Sequence, residues 1–268
     1  EDAFKSLSLG KTVMPPILRV DIKKYHGESD VKAAYIEGLD SFAVKVASGF
    51  FNNPKLGLPS SNGLMILLDS ETGVIKSVLL DKGYLTDVRT AIAGAIASKY
   101  LSNPESSTVA IIGTGIQARM QLEALTLVRD IKNVNVWSRD IKKTHAYIED
   151  VSKNINLNFT AFDNTNEVVN NADILITTTP SKKPLVDYSS LPKGIHITAM
   201  GSDAEEKNEL EPDIIKNCDV YVPDSQAQTS ILGELNHAIK NNLIKSDMIF
   251  NDLGKIIINP ELGRKNND

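Results

Sequence analysis

The segment Val109-Ala110-Ile111-Ile112-Gly113-Thr114-Gly115-Ile116-Gln117-Ala118 passes from a β-branched run into a helical one through Gly-x-Gly-x-x-Ala. Gly113 permits a tight turn, Gly115 lets backbone approach a pyrophosphate, and Ala118 is small enough for close helix–strand contact. Thr114, Ile116 and Gln117 complete the loop, whose first helical amides are donors to phosphate. A strand before the loop, a helix after it and further βα units supply the context that separates a dinucleotide site from a merely structural turn. The end of the next strand decides which dinucleotide. An acid there binds the ribose 2′-hydroxyl, whereas Arg meets a 2′-phosphate. The chain reads Val136-Trp137-Ser138-Arg139-Asp140; the Ser138 hydroxyl and the forked Arg139 cation suit phosphate. Arg139 as a plain surface charge and Asp140 as ribose ligand in a shifted register both stay open. NADP(H) is favoured and NAD(H) is the alternative. Thr178, Thr179 and Met200, at the ends of two later strands, join the expected cofactor set.

A second group of residues could handle a carboxylate. Arg19, Lys45 and Arg89 each interrupt an apolar or small-residue stretch, where a charge is rarely buried without a partner. A substrate carboxylate would satisfy two or three such donors, Arg in bidentate fashion; a surface cation or a structural ion pair is the plainer reading of each. Asp203 follows the strand Ile195 to Ala199, and ligands of parallel sheets bind outside the carboxyl ends of their strands. Held in a closed site, Asp203 would have a raised pKa and exchange a proton with a substrate nitrogen. Equally, it could cap a helix over Lys207 to Ile215. His196 reads as a packed core residue, His26 and His145 as exposed, and His237 as uncommitted. No His and carboxylate set has metal-ligand spacing, and no Ser/His/Asp order stands out.

The elements that must carry these residues fall into two parts. From residue 108 short apolar strands (Thr108 to Ile112, Val134 to Trp137, Phe159 to Phe162, Ile174 to Thr178, Ile195 to Ala199, Val220 to Val222) alternate with helical segments such as Gln117 to Arg129. This rhythm predicts a parallel sheet with helices on its faces. Before it, strands at Ile17 to Ile22, Phe42 to Val46, Leu64 to Leu68 and Val74 to Leu80 include a hairpin through Asp69-Ser70-Glu71-Thr72-Gly73. Thr90 to Leu101 reads as a helix packed through small residues. A polar seam lies at 102–107. The expected domains are 1–101, to which the tail from about 240 to 268 is a candidate to return, and 108–239.

Composition limits the function classes. The chain has 268 residues, 41% hydrophobic and 24% charged, with net charge −5. Mild acidity offers no footprint for a nucleic-acid partner. No apolar run reaches the roughly 18–20 residues of a membrane span. The single cysteine, Cys218, excludes an intramolecular disulfide framework and suits a reducing, cytoplasmic setting. Ala3, Phe4 and Leu7 look like a helix face in progress, and Gly263 to Asp268 brings no closing element, so both ends are expected to continue.

Leu85-Thr86-Asp87-Val88-Arg89-Thr90-Ala91, the loop 112–118, Ala199-Met200-Gly201-Ser202-Asp203 with Lys207-Asn208-Glu209-Leu210, and Gly233-Glu234-Leu235 with His237-Ala238 together resemble the ornithine cyclodeaminase/mu-crystallin family. The resemblance implies an α/β protein: a Rossmann dinucleotide-binding domain plus an α+β catalytic and dimerisation domain forming a homodimer. It implies hydride transfer at the α-carbon of a small amino or imino acid. Arg19, Lys45 and Arg89 match the positions that hold the substrate carboxylate, Lys45 also counting as catalytic. Ser60 falls near a hydroxyl position at cofactor and substrate, and Asp203 matches the catalytic acid. Family members usually extend further at both ends. Two chemistries fit, a cyclodeaminase that converts ornithine to proline and ammonia (a lyase), and an imine (ketimine) reductase, to which Ser138-Arg139 tips the choice. A non-catalytic NADPH-dependent binding protein like mu-crystallin is the third reading. Pro59 to Gly63 and Leu80 to Thr86 also resemble a branch associated with ectoine utilisation.

Overall fold

The strand–helix rhythm after residue 108 folds, in the computed structural model, into a parallel sheet; the structure describes residues 1–266. Its strands are β7 (Thr108–Ile112), β8 (Asn133–Trp137), β9 (Asn158–Phe162), β10 (Ile174–Thr177) and β11 (His196–Ala199), in the order β11-β10-β7-β8-β9. Strands run outward from β7 in both directions, so the order reverses between β7 and β10, the switch point at which such sheets take ligands. The helices are α3 (Ile116–Thr126), α4 (Ile141–Val151), α5 (Thr165–Val168), α6 (Pro212–Asn217), α7 (Gln226–Thr229), α8 (Glu234–Lys240) and α9 (Leu253–Ile258).

Because successive strand residues point to opposite faces, β7 divides its side chains between two cores. Val109 and Ile111 pack with Leu122, Leu125 and Tyr147 of α3 and α4, while Ala110 and Ile112 pack with Val168, Leu210 and Ile214. Runs buried on both faces are why these strands read as continuously apolar. His196 is buried as expected, its imidazole bonded to Thr198 Oγ1 at 3.0 Å. Burial, with Arg264 and Arg129 nearby, lowers its pKa to about 3 and keeps it neutral.

Residues 2–89 form a separate compact unit. After α1 (Asp2–Ser8) come β1 (Thr12–Val13), β2 (Leu18–Ile22), β3 (Gly27–Ile36), β4 (Ser41–Phe50), β5 (Ser61–Asp69) and β6 (Ile75–Leu79). They make an antiparallel sheet in the order β1-β3-β4-β5-β6, with β2 also pairing β3. The hairpin turn at 69–73 is present: the Asp69 carboxylate accepts from the Glu71 and Thr72 amides and the Thr72 hydroxyl. Pairing Arg19 with Asp30, Lys32 with Lys45 and Lys45 with Met65 puts those charges on one face. The other face carries Leu18, Val20, Val31, Val46, Leu64, Ile66 and Val78. Among the described residues of this unit no apolar side chain is fully buried; Leu18, Val20 and Val78 are 58%, 48% and 50% exposed.

Five expectations need correction. The helix expected over 90–101 is α2 (Tyr84–Leu101), starting earlier because Asp81 accepts the Leu85 amide at 2.7 Å and Gly83 turns the chain at φ +92. The division between units falls inside this helix, at Arg89/Thr90, rather than at 102–107. From Thr90 onward α2 packs on α3: Ala91 and Ala95 meet Ala124, and a Cβ on Gly94 would lie 2.1 Å from Gln121 Oε1. The segment from 240 packs with the unit that contains the parallel sheet, where Ile256 is buried and Arg264 donates to Leu101 O and Gly194 O. The helix expected over Lys207–Ile215 is reduced to α6, because residues 208–211 run extended against 181–186 and Pro212 starts the helix. Val220 to Val222 forms no strand; Tyr221 instead stacks edge-on against Phe250 with ring centroids 4.9 Å apart. Among the described residues no helix is long and apolar enough to cross a membrane.

Candidate dinucleotide and carboxylate sites

At the end of β7, Gly113 adopts φ +121, and a Cβ there would fall 2.5 Å from Thr178 Oγ1. Thr178 itself donates from its amide to Ile112 O, closing the turn against β10. Gly115 is the N-cap of α3; it is exposed, has open space where a Cβ would stand, and offers no side-chain cap to the first-turn amides. Those amides are therefore left to an anion from outside. Ile116 and Gln117 open the helix, Thr114 is half-buried and Ala118 is fully buried. Two side chains outside the motif brace the loop. Arg119 donates to Thr114 O at 3.0 Å and lies over the Tyr147 ring, and the Tyr147 hydroxyl donates to Ala118 O at 3.1 Å. Residues 113–118 thus fit a pyrophosphate.

After β8, the Ser138 hydroxyl donates to Asp140 O and shares a hydrogen bond with Thr144 Oγ1. Asp140 caps α4 by accepting the Lys142 amide at 3.0 Å. Arg139 is exposed and, among the described residues, pairs with no carboxylate. Of the three, Arg139 is the side chain available to a ligand.

Glu209 ties the ends of β10 and β11 together. Its carboxylate accepts the Thr177 hydroxyl at 2.7 Å, the Thr179 amide at 2.5 Å and the Gly201 amide at 2.9 Å. Met200 holds the same edge through its amide to Thr177 O. Burial pushes the Glu209 carboxyl up to about 7, against the pull of these donors and with the nearby Glu234 adding to the rise. Glu234 in turn accepts the Ser202 hydroxyl, the Asn208 side chain and the amides of Glu209 and Leu210. Asp203 stands at the mouth of this loop, its side chain 67% exposed and ion-paired to Lys207. It caps no helix, since none starts between it and Pro212.

On the charged face of the 2–89 sheet, Lys45 is half-buried and its pKa is lowered to about 8. Burial is the main cause, then the positive charges of Arg89 and Lys32; Asp30 and Asp81 act in the opposite sense. Arg89 sits on the first turns of α2. Arg19 follows the plainer reading, a structural ion pair: it is bound to three carboxylates, with Asp21 at 3.0 Å, Asp30 at 3.7 Å, and Glu28. Ser60 lies just before β5, its carbonyl accepting the Phe50 amide at 2.8 Å. Asp30, Asp81, Arg119, Glu209 and Glu234 were not singled out from sequence. The polar residues inside Lys207-Asn208-Glu209-Leu210 and Gly233-Glu234-Leu235 were the one available signal, since apolar-flanked acids need partners.

The profile of the ornithine cyclodeaminase/mu-crystallin family matches residues 1–268. The chain belongs to the ornithine cyclodeaminase/mu-crystallin family. An uncharacterized cyclodeaminase, y4tK, of Sinorhizobium fredii is 52% identical over 265 residues, covering 98% of this chain and 80% of that one. The Thermococcus litoralis Δ1-pyrroline-2-carboxylate reductase, solved with NADH and L-proline, superposes with a TM-score of 0.93 at 30% identity, covering 99% and 82% of the two chains. An archaeal alanine dehydrogenase dimer with bound NAD gives 0.89 at 32% identity, covering 100% and 81%. This family member is an enzyme of the nicotinamide-dependent reductase, dehydrogenase and cyclodeaminase kind.

Two predictions follow from the geometry. Gly113→Ala forces a Cβ toward Thr178 at a positive φ, so affinity for a nicotinamide dinucleotide measured by fluorescence falls by at least about tenfold. Replacing Arg89 with Gln removes a neighbouring positive charge, so the Lys45 pKa, followed by 13C NMR of its ε-carbon, moves upward from about 8.

Proposed function

We propose that this enzyme is an NADP(H)-preferring imine reductase that converts a small α-imino acid into the corresponding amino acid. The observation that carries this reading is Lys45, half-buried on the charged sheet face, where burial and the positive charges of Arg89 on α2 and of Lys32 outweigh Asp30 and Asp81 and disfavour its charged form, so that a further carboxylate would restore it. A substrate carboxylate held by Lys45 and by the fork of Arg89 meets that need, with Ser60 as a further hydroxyl donor. Arg19, engaged by Asp21, Glu28 and Asp30, joins the carboxylate only by exchanging partners.

A bound reduced nicotinamide dinucleotide supplies a hydride to the imine carbon. Residues 113–118 hold its pyrophosphate, Thr178, Thr179 and Met200 its nicotinamide half, and Arg139 its 2′-phosphate. Reduction also consumes one proton at the imine nitrogen. Asp203 relays that proton from solvent: its carboxylate, paired with Lys207 when exposed, takes up a proton as cofactor and substrate enclose it and passes it to the nitrogen. Relatives named as pyrroline-carboxylate reductase and ketimine reductase support the reaction class. The name of the Sinorhizobium relative supports the cyclodeaminase reading instead, which the assay below separates.

A second copy of this chain is the partner we infer. The apolar face of the 2–89 sheet has no fully buried side chain, and such a face needs a covering layer. The dimeric archaeal relative supports a dimer.

Oxidation of NADPH in the presence of pyrroline-2-carboxylate, piperideine-2-carboxylate or iminosuccinate is the expected activity, and silence on all three at high enzyme concentration rejects it. Proline formed from ornithine without added reductant would favour the cyclodeaminase. Asp203→Asn lowers kcat by about 10²–10⁴-fold, Arg139→Ala shifts the preference from NADPH toward NADH, and KM for the imino acid rises above pH 8 as Lys45 loses its charge. In sedimentation, the wild-type chain runs as a dimer, and Val20→Glu with Val78→Glu shifts it to monomer.

A further inference from the structure

Glu209 has no role in the chemistry just described, yet its side chain is wholly buried. The ladder between β10 and β11 ends at Thr177 and Ala199. Beyond it, one carboxylate bridges the two strand ends, through Thr177 Oγ1 and the Thr179 amide on one side and the Gly201 amide on the other. The approach is so close that a Cβ on Gly201 would fall 2.4 Å from Glu209 Oε2. The backbone of Glu209 is fixed separately, its amide donating to Glu234 at 2.8 Å and its carbonyl accepting the Leu185 amide at 2.7 Å. A buried carboxylate is costly, and an apolar residue could fill the same space. What the carboxylate alone provides is two acceptor oxygens at a fixed separation.

In this sheet the 2′-site residue Arg139 lies after β8, on one side of β7, while β10 and β11 lie on the other. A dinucleotide crossing the switch point sets its adenosine half toward β8 and its nicotinamide half toward β10 and β11. We propose that Glu209 is a positioning residue that sets Thr178 and Thr179 against Met200 through Asp203, and so shapes the shelf that receives the nicotinamide half. This rests on the dinucleotide-dependent reading above.

Glu209→Gln is the informative substitution. A carboxamide has one acceptor oxygen and one donor NH2. Either orientation points the NH2 at a backbone amide, of Thr179 or of Gly201. NADPH affinity is expected to fall by about tenfold. Affinity for 2′,5′-ADP, which carries only the adenosine end, is expected to stay within about twofold of wild type. In the cofactor-free protein, hydrogen exchange at the Thr179 and Gly201 amides speeds up. Thr177→Val removes one donor while keeping the shape, and should weaken NADPH in the same direction by about threefold; it carries the test alone if Glu209→Gln does not fold. Unchanged NADPH affinity in the folded variants, or equal loss of NADPH and 2′,5′-ADP, overturns the proposal. Wild-type protein that binds NADPH but reduces no imine would reject the reductase reading and leave this inference standing. An active wild type with unaltered NADPH affinity in both variants would do the reverse.

Discussion

Where β7 ends, the chain must turn against β10 with no side chain between them, and Gly113 at φ +121 is the residue that allows it. Any Cβ would displace Thr178, and with it the register of the neighbouring strand end. The helix that follows begins with exposed amides and no side-chain cap, a state that is tolerated because an anion can satisfy them. The two apolar cores on either face of the sheet keep this turn rigid. The loop therefore inherits its precision from packing in which its own Ala118 and the bracing Tyr147 take part.

The 2–89 unit solves a different problem. Its sheet separates charge from apolar surface by the two-residue period of the strand, so Lys32 and Lys45 share a face and Val31 and Val46 share the other. Under the proposed function the Lys45 side receives the substrate carboxylate and the apolar side receives a second copy of the chain. One alternation thus sets up both binding and association, and a register slip of one residue would exchange the two faces.

Buried carboxylates organise the remaining edge. Glu234 gathers the 202–210 loop, and Glu209 joins the strand ends that this loop follows. Asp203, by contrast, has an exposed side chain paired with Lys207. Under the proposed function, fixed supports around an exposed acid suit a group that must meet substrate and then release it.

The strand–helix rhythm after residue 108, the glycine turn after β7, the hairpin and the small-residue helix were legible in the sequence because each depends on neighbours a few residues apart: a two-residue or 3.6-residue period, a glycine spacing, a turn. The roles of Arg19 and Asp203 were less so. The first depends on which carboxylates the strand register brings beside it, and the second on whether 207–211 becomes a helix or pairs with 181–186. The strand expected at 220–222 failed because a strand requires a neighbour, which no local pattern guarantees. Local chemistry by itself determined the family motifs and with them the nicotinamide-dependent class of enzyme. Only the tertiary structure decided that α2 belongs to both units, and that Glu209 and Glu234 hold the site's edge, because those facts rest on contacts between residues far apart in the chain.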